Sequence, residues 1–240
     1  MREIREILTD EHGVPVISYV RGTRDGRPWA HMVEVIGPRP SEVLAAQLPG
    51  WFVSAPEELC RELVGHGART VRHAYVLRYD LRERENPPVQ APEGFRFVPC
   101  DREPKDVLPA WRAAFPPEHP DHYTRSDEEI LQEELIPLFE GRLIGPVLPC
   151  ASLVVDSDDR VVAGMVVNDW DGIAWIANGF RHPLDAPRGT GAALLRHVGW
   201  KADRDGLETL TGTVSHGNPA LSTWKRLGFT VQETTMTVLL

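Results

Sequence analysis

Apolar positions recur along the chain with two periods, and the switches between them mark out its elements. Residues 1–30 are polar and Gly-rich, with RGTRDGRP reading as a turn, so a loose lead-in or a short hairpin is expected there. The rhythm sharpens over residues 31–82. HMVEVIG reads as a strand, SEVLAAQL as a short helix with Ser41 as its cap, and WFVS as a second strand. Ser54 then caps a helix over PEELCRELVGHG, with Pro56 at an early position and Gly67 near the stop. TVRHAYVLRYDL alternates as a strand does, which completes a β-α-β-α-β order over residues 31–82 of the N-terminal segment 1–82. Residues 83–93, RERENPPVQAP, are charged, Pro-rich and without periodicity, so they read as a linker.

A different pattern begins after the linker, and residues 94–240 read as a second domain. GFRFV is a short strand. Leu108, Trp111 and Phe115 follow at i, i+3 and i+7 on one helical face. Ser126 and Glu129 make a capping box before the acidic helix EEILQEEL, whose run 127–134 reads as a solvated face. ASLVVD and RVVAGMVVN are apolar strands joined by a hairpin turn at SDD, and the turn WDG leads into the strand IAWIANGF. After the Pro-rich stretch RHPLDAPRGTG comes the helix AALLRHVGWKAD. Leu194, Leu195, Val198 and Ala202 form its buried stripe, and Gly206 ends it. LETLTGTV is a strand, PALSTWKRL a helix, and GF opens the closing stretch TVQETTMTVLL. The order is β-α-α-β-β-β-α-β-α-β with one or two strands at the end, an α/β (α+β) fold.

Composition narrows the function classes. The chain has 240 residues, 42% of them hydrophobic and 25% charged, as in ordinary soluble proteins. No apolar run approaches the roughly 20 residues of a membrane span. MREIREILTDEHG is charged from its second residue, unlike a signal peptide. Cys60, Cys100 and Cys150 lie at least 40 residues apart, which removes a CxxC motif and most zinc spacings and fits a reducing cytoplasm. A net charge of −9 argues against a nucleic-acid partner and favours a cationic or neutral one. A membrane partner is not expected, and the chain is taken as a monomer or homodimer.

The stretch richest in chemistry runs from His182 to Ala192 and joins a strand to a helix N-terminus. Gly189 and Gly191 let the backbone turn tightly and expose its amides. The first N–H groups of a helix lack internal partners and its dipole favours an anion, so the loop suits a phosphate, with Arg188 as an added contact. The same glycines also serve a turn with no ligand. Two rival phosphate loops fail: no Gly-Lys-Ser/Thr is present, and Leu194 stands where GxGxxG needs its third glycine.

From Ala151 to Phe229 the sequence resembles the GNAT superfamily, the acetyl-CoA-dependent N-acetyltransferases. SLVVDSDDRVVAG resembles that family's second and third strands. Pro183 with Gly189 and Gly191 resembles its pyrophosphate loop, usually Q/R-x-x-G-x-G/A, and Leu194-Leu195 follow as in family helices. Asn218, Ala220 and Trp224 to Phe229 resemble the closing block, usually N-x-x-A-x-x-x-Y-x-K-x-G-F. With residues 95–150 as the first strand and two helices, the likeness covers the second domain. It implies a mixed, mostly antiparallel sheet flanked by helices, and transfer of an acetyl group from acetyl-CoA to a primary amine by direct attack, with no metal. It places the pyrophosphate on Arg188, Gly189, Thr190, Gly191 and Ala192, and the acetyl carbonyl on backbone N–H groups near Gly179, Phe180 and Arg181. It also places Asn218 on the pantetheine and Trp224 near the leaving thiolate. Departures accompany the likeness. Ala186 occupies the Q/R position, and Asn218 is one residue closer to the helix than usual. Trp224 replaces a tyrosine acid and cannot give up a proton at neutral pH. IAWIANGF carries no Asp or Glu to act as base, so a non-catalytic acyl-CoA-binding or regulatory module of the same fold is the alternative.

Other residues were weighed for roles. Asn178 either orients substrate or is a satisfied core amide, the latter being favoured. Asp169 and Asp171 flank the turn before IAWIANGF, as bases or as solvated turn residues. Trp224 shares a helical face with Ala220, Leu221 and Leu227, which also suits core packing. Ser222 is expected to be exposed. Glu118, His119, Asp121 and His122 in PPEHPDHY read as a loop near the substrate entrance, with Tyr123 as a contact, rather than as metal ligands. Finally, strand-helix-Gly-strand recurs in 50–82 and 206–240, which makes the first segment either a degenerate half-repeat without the glycine loop or a chance likeness.

Overall fold

The computed structural model describes residues 4–240. They form two compact units, one reaching to Val76 and including Gln232–Leu240, the other Leu77–Val231. In the first unit the strands are β1 (Arg5–Thr9), β2 (Pro15–Arg24), β3 (Arg27–Val35), β4 (Phe52–Pro56), β5 (Arg69–Asp80) and, from the C-terminal stretch, β11 (Thr230–Leu239). They lie in the order β1-β2-β3-β4-β11-β5. β1, β2 and β3 form an antiparallel meander, β3 pairs with β4 in parallel, and β11 pairs antiparallel with β4. Helices α1 (Pro40–Gln47) and α2 (Glu57–Gly65) complete the unit. Its core joins Val16, Ile17, Leu44, Val53, Leu63 and Val238. The first 30 residues are therefore strands rather than a loose lead-in. Val16 to Val20 are buried on both faces, so they show no alternation to read. Asp25 and Gly26, both at positive φ, make the β2–β3 turn.

The two serine caps expected here are not formed. α1 begins at Pro40 after Arg39 in the left-handed conformation, and Ser41 is buried inside the helix. Ser54 lies in β4, where its hydroxyl takes the Trp29 indole N–H at 2.8 Å and meets the Thr237 hydroxyl at 2.7 Å. The sheet uses the oxygen that the sequence offered to the helix.

The second unit has strands β6 (Arg96–Pro99), β7 (Ser152–Val155), β8 (Val161–Trp170), β9 (Ile173–Arg181) and β10 (Thr209–Ser215), in the order β10-β9-β8-β7-β6. β6 to β9 are antiparallel, and β10 runs parallel to β9. The helices are α3 (Pro104–Ala114), α4 (Asp127–Ile130), α5 (Ile136–Phe139), α6 (Thr190–Arg204) and α7 (Ala220–Leu227), with a π-helical turn at Leu131–Leu135 joining α4 to α5. Ser126 and Glu129 form the expected reciprocal capping box. One sheet face packs Leu153, Val155 and Phe180 against Trp111, Phe115 and Ile130. Val154 points the other way and is also fully buried, and α6 lies along β7, β8 and β9, so helices cover both faces. This is an α/β fold with a mostly antiparallel sheet flanked by helices.

Candidate functional site

β9 and β10 pair only through Thr211↔Trp175 and Gly212↔Ile176. Beyond those pairs β9 continues to Arg181 and β10 to Ser215, and the two strands part. The register of β9 on β8 slips at the same place: Val167 faces Ile176, Val166 faces Asn178, and Ala177 is left over. A bulge of this kind bends its strand. The parted edges carry main-chain donors and acceptors that no neighbouring strand takes. At the root of the opening, a Cβ on Gly212 would stand 3.0 Å from both the Ile176 carbonyl oxygen and Cη2 of Trp224. Trp224 is 6% exposed and packs on Phe229 with ring centroids 4.7 Å apart, so its ring fills the core at the point of divergence.

The loop from β9 to α6 is built from within. Gly189 takes the left-handed conformation, with φ +92°, and caps α6. Thr190 is fully buried, and both its hydroxyl and its N–H donate to the Pro187 carbonyl, at 2.7 and 3.2 Å. No backbone carbonyl among the described residues takes the N–H of Gly191 or Ala192. A Cβ added at Gly189 or Gly191 would meet nothing within 4 Å, so the space before these amides is open. Arg188 is exposed beside them. Nη1 of Arg181 donates to the carbonyls of Ala186, His182 and Pro183 at 2.8, 3.2 and 3.4 Å, and His182 Nδ1 accepts the N–H of Asp185 at 2.9 Å. Arg181 thus braces the loop with its side chain, a role the sequence did not disclose. Ala186, at the family's Q/R position, is 2% exposed and brings no polar group.

Phe180 contributes to the core, with its ring against Gly164, where a Cβ would come within 2.3 Å of it. Only its backbone is left for a ligand, whereas Gly179 is exposed. Asn178 lies two residues before Phe180, past the bulge, and so shares its sheet face. Its Oδ1 is buried and has no hydrogen-bond partner. The satisfied core amide expected at this position is therefore corrected: the oxygen is buried, but the protein offers it no donor.

A second loop comes to this region. The Asp121 carboxylate accepts the Ser215 hydroxyl proton and the Asn218 amide, the latter at 2.9 Å. Asn218 Oδ1 accepts the Ala220 N–H at 2.8 Å, so that side chain ties the start of α7 to Asp121. His119 Nδ1 accepts the Asp121 N–H at 3.1 Å, and His122 Nδ1 lies 2.8 Å from the Phe115 carbonyl. Burial pulls the His119 imidazole below its ordinary pKa, against the opposing charge of Asp121. Tyr123 packs against Trp111 at 4.6 Å. PPEHPDHY showed these groups in the sequence, but their partners at Ser215 and Asn218 are too distant along the chain to be read there. Asp169 sits elsewhere: its Oδ1 accepts the Gly172 N–H at 2.7 Å in the β8–β9 turn, and it pairs with Ala174. Four residues of β9 separate that pair from Asn178, about 13 Å along a strand. Asp171 and Ser222 are exposed. No group of three or more His, Cys, Asp or Glu side chains stands together as a metal site among the described residues. A cavity of about 470 Å³, lined among others by Tyr79, Arg84, Arg196, Arg226 and Phe229, includes no residue of either loop.

In fold the chain is similar to solved structures of GCN5-related N-acetyltransferases. One such protein from Sphaerobacter thermophilus matches 97% of this chain over 78% of its own length, with a TM-score of 0.66 and 18% identity. One from Kribbella flavida matches 99% over 89% of its length, with a TM-score of 0.60 and 16% identity. A tandem GNAT protein from the clavulanic acid biosynthesis pathway matches 97% over 81%, with a TM-score of 0.62 and 12% identity. No protein-family model and no curated protein matches the chain.

Proposed function

We propose that the protein is an N-acetyltransferase that moves the acetyl group of acetyl-CoA to a primary amine by direct attack. The observation that carries this reading is the opening between β9 and β10 with the free amides of Gly191 and Ala192 beyond it. The residues fit acetyl-CoA. The loop amides and Arg188 would take the pyrophosphate, where partial charges at the helix N-terminus favour an anion. The unpaired edge of β9 would take the pantetheine amides, and backbone N–H groups near Gly179 would receive the acetyl carbonyl and the negative charge that grows on it. When bound, the thioester supplies an activated acyl group. The protein's part is then to hold the carbonyl and the amine in line. The indole of Trp224 packs at the root of the opening, so a thiolate would leave without a protein acid.

The acceptor in this reading is a small-molecule or peptide amine, with no nucleic acid or membrane partner, and the protein acts as a monomer or homodimer. The net charge of −9 favours a cationic acceptor. No helix among the described residues is long and apolar enough to cross a membrane. Cys60, Cys100 and Cys150 are free, and burial raises their thiols to about 11, 12 and 12. Such unreactive, unpaired thiols support a cytoplasmic setting.

The test is release of free CoA from acetyl-CoA over panels of polyamines, aminoglycosides, amino acids and peptides. Turnover with one class is the expected result. Acetyl-CoA that raises the melting temperature while no amine releases CoA would make the protein a non-catalytic acyl-CoA-binding module. Absence of both effects would refute acyl-CoA binding altogether.

A further inference from the structure

We infer that His122, in the loop between α3 and α4, takes the proton from the incoming amine. This rests on the acyl-transfer reading above. That chemistry needs a proton acceptor, because an amine is an ammonium ion in neutral water and attacks only through a free lone pair. Strand β9 has no carboxylate to offer. The loop is fastened to the open end of the strand pair: Asp121 holds Ser215, the last residue of β10, and Asn218 just beyond it.

Two backbone contacts fix the tautomers of the loop histidines. A carbonyl oxygen only accepts, so at 2.8 Å from the Phe115 carbonyl the His122 Nδ1 must carry the hydrogen. Its Nε2 is then left with a free lone pair. An amide N–H only donates, so His119 Nδ1, which receives the Asp121 N–H, is bare, and its neutral ring carries the hydrogen on Nε2. One loop thus presents one acceptor nitrogen and one donor nitrogen. His122 is half-buried and remains open to solvent for the return of its proton. Phe115, whose carbonyl orients His122, packs in the same layer as Phe180.

The titratable and charged groups around His122 are Glu118, His119 and Asp121 of its own loop, and Arg112 of α3, which donates to the Tyr123 carbonyl at 2.9 Å. To these is added Arg125, three residues on in the same loop and paired with Glu133 and Glu134. In the step, one ammonium proton passes to His122 Nε2. The freed lone pair forms the C–N bond to the acetyl carbon as the C–S bond breaks. The second proton leaving nitrogen ends on the sulfur, and the imidazolium returns its proton to water.

The experiment measures kcat/KM against pH for wild type and His122→Asn, using acetyl-CoA and the best amine from the CoA-release panels. The asparagine amide keeps a donor for the Phe115 carbonyl and removes the ring nitrogen. The rate is expected to fall at least about 100-fold. The acid limb of the profile should disappear, while acetyl-CoA affinity is unchanged. Imidazole in the buffer should restore part of the rate to His122→Gly. The ring nitrogens, read by NMR in the full chain, should show His122 protonated on Nδ1 and His119 on Nε2. Unchanged rate and acid limb in His122→Asn, or a His122 ring protonated on Nε2, would overturn the inference and leave the acyl-transfer reading standing. No turnover by wild type with any amine would sink that reading, and this inference with it.

Discussion

Replacing Asn178 by leucine separates stability from binding. The two side chains are close in shape, so the change removes the buried, partnerless Oδ1 without emptying its site. Leaving such an atom unpaired costs about 1–3 kcal/mol, and removing it from the ligand-free protein recovers that amount. In a chain of this length about 1 kcal/mol shifts the midpoint by about 2–4 °C, so Asn178→Leu should melt about 2–12 °C above wild type. Binding should not move: the atom is closed to solvent, so no substrate donor reaches it, and KM for the amine and the acetyl-CoA affinity should both hold. Thermal unfolding without ligands reads the first effect and steady-state kinetics the second. A variant that melts below wild type would mean that the oxygen is satisfied in the folded protein.

Gly191→Asp meets no atom within 4 Å of its Cβ, so it should fold normally, yet its charge lies beside the loop amides; the acetyl-CoA-induced rise in melting temperature should vanish, and an unchanged rise would remove the loop as phosphate site. Trp224→Phe should cost about 1–3 kcal/mol of stability with turnover largely kept, whereas a rate loss at constant CoA affinity would give the indole N–H a chemical role. Burial holds His197 at about 4, well below the ordinary 6.5, so the unfolded chain binds the extra proton between these values. Stability should therefore fall as pH drops from about 6.5 to 4, by about 1–2 kcal/mol once its remaining contact with water is allowed for, and His197→Phe should flatten the curve. A chain beginning at residue 90 leaves β11 without β4 and should be poorly soluble or melt well below the full chain; unchanged stability would make the first segment an independent appendage.

Local pattern carried most of the second unit. Apolar runs and turn residues marked β7, β8 and β9, and the Ser126–Glu129 box set the start of α4. The glycine loop was legible because only glycine takes φ +92° freely at a helix start. Ser41 and Ser54 misled because a hydroxyl suits a sheet or an interior as well as a cap, and the choice falls to partners such as Trp29 and Thr237. The bulge at Ala177 leaves no compositional mark, so the orientation of Asn178 was not accessible. The ties from Asp121 to Ser215 and Asn218 and the brace from Arg181 to its loop are individual contacts that periodicity does not encode.

Strand β11 lies between β4 and β5, and this fixes a timetable for the nascent chain. β4 and β5 are translated early, but the strand that joins them is made only after every residue from Leu77 to Val231. At about 5–20 residues per second the wait is roughly 10–30 s. Throughout it the first unit holds two open strand edges, and by its end the second unit has its whole chain and is free to close. A ribosome that stalls before Gln232 therefore releases a protein with one finished half and one adhesive half, the kind of exposed edge that chaperones and proteases recognise.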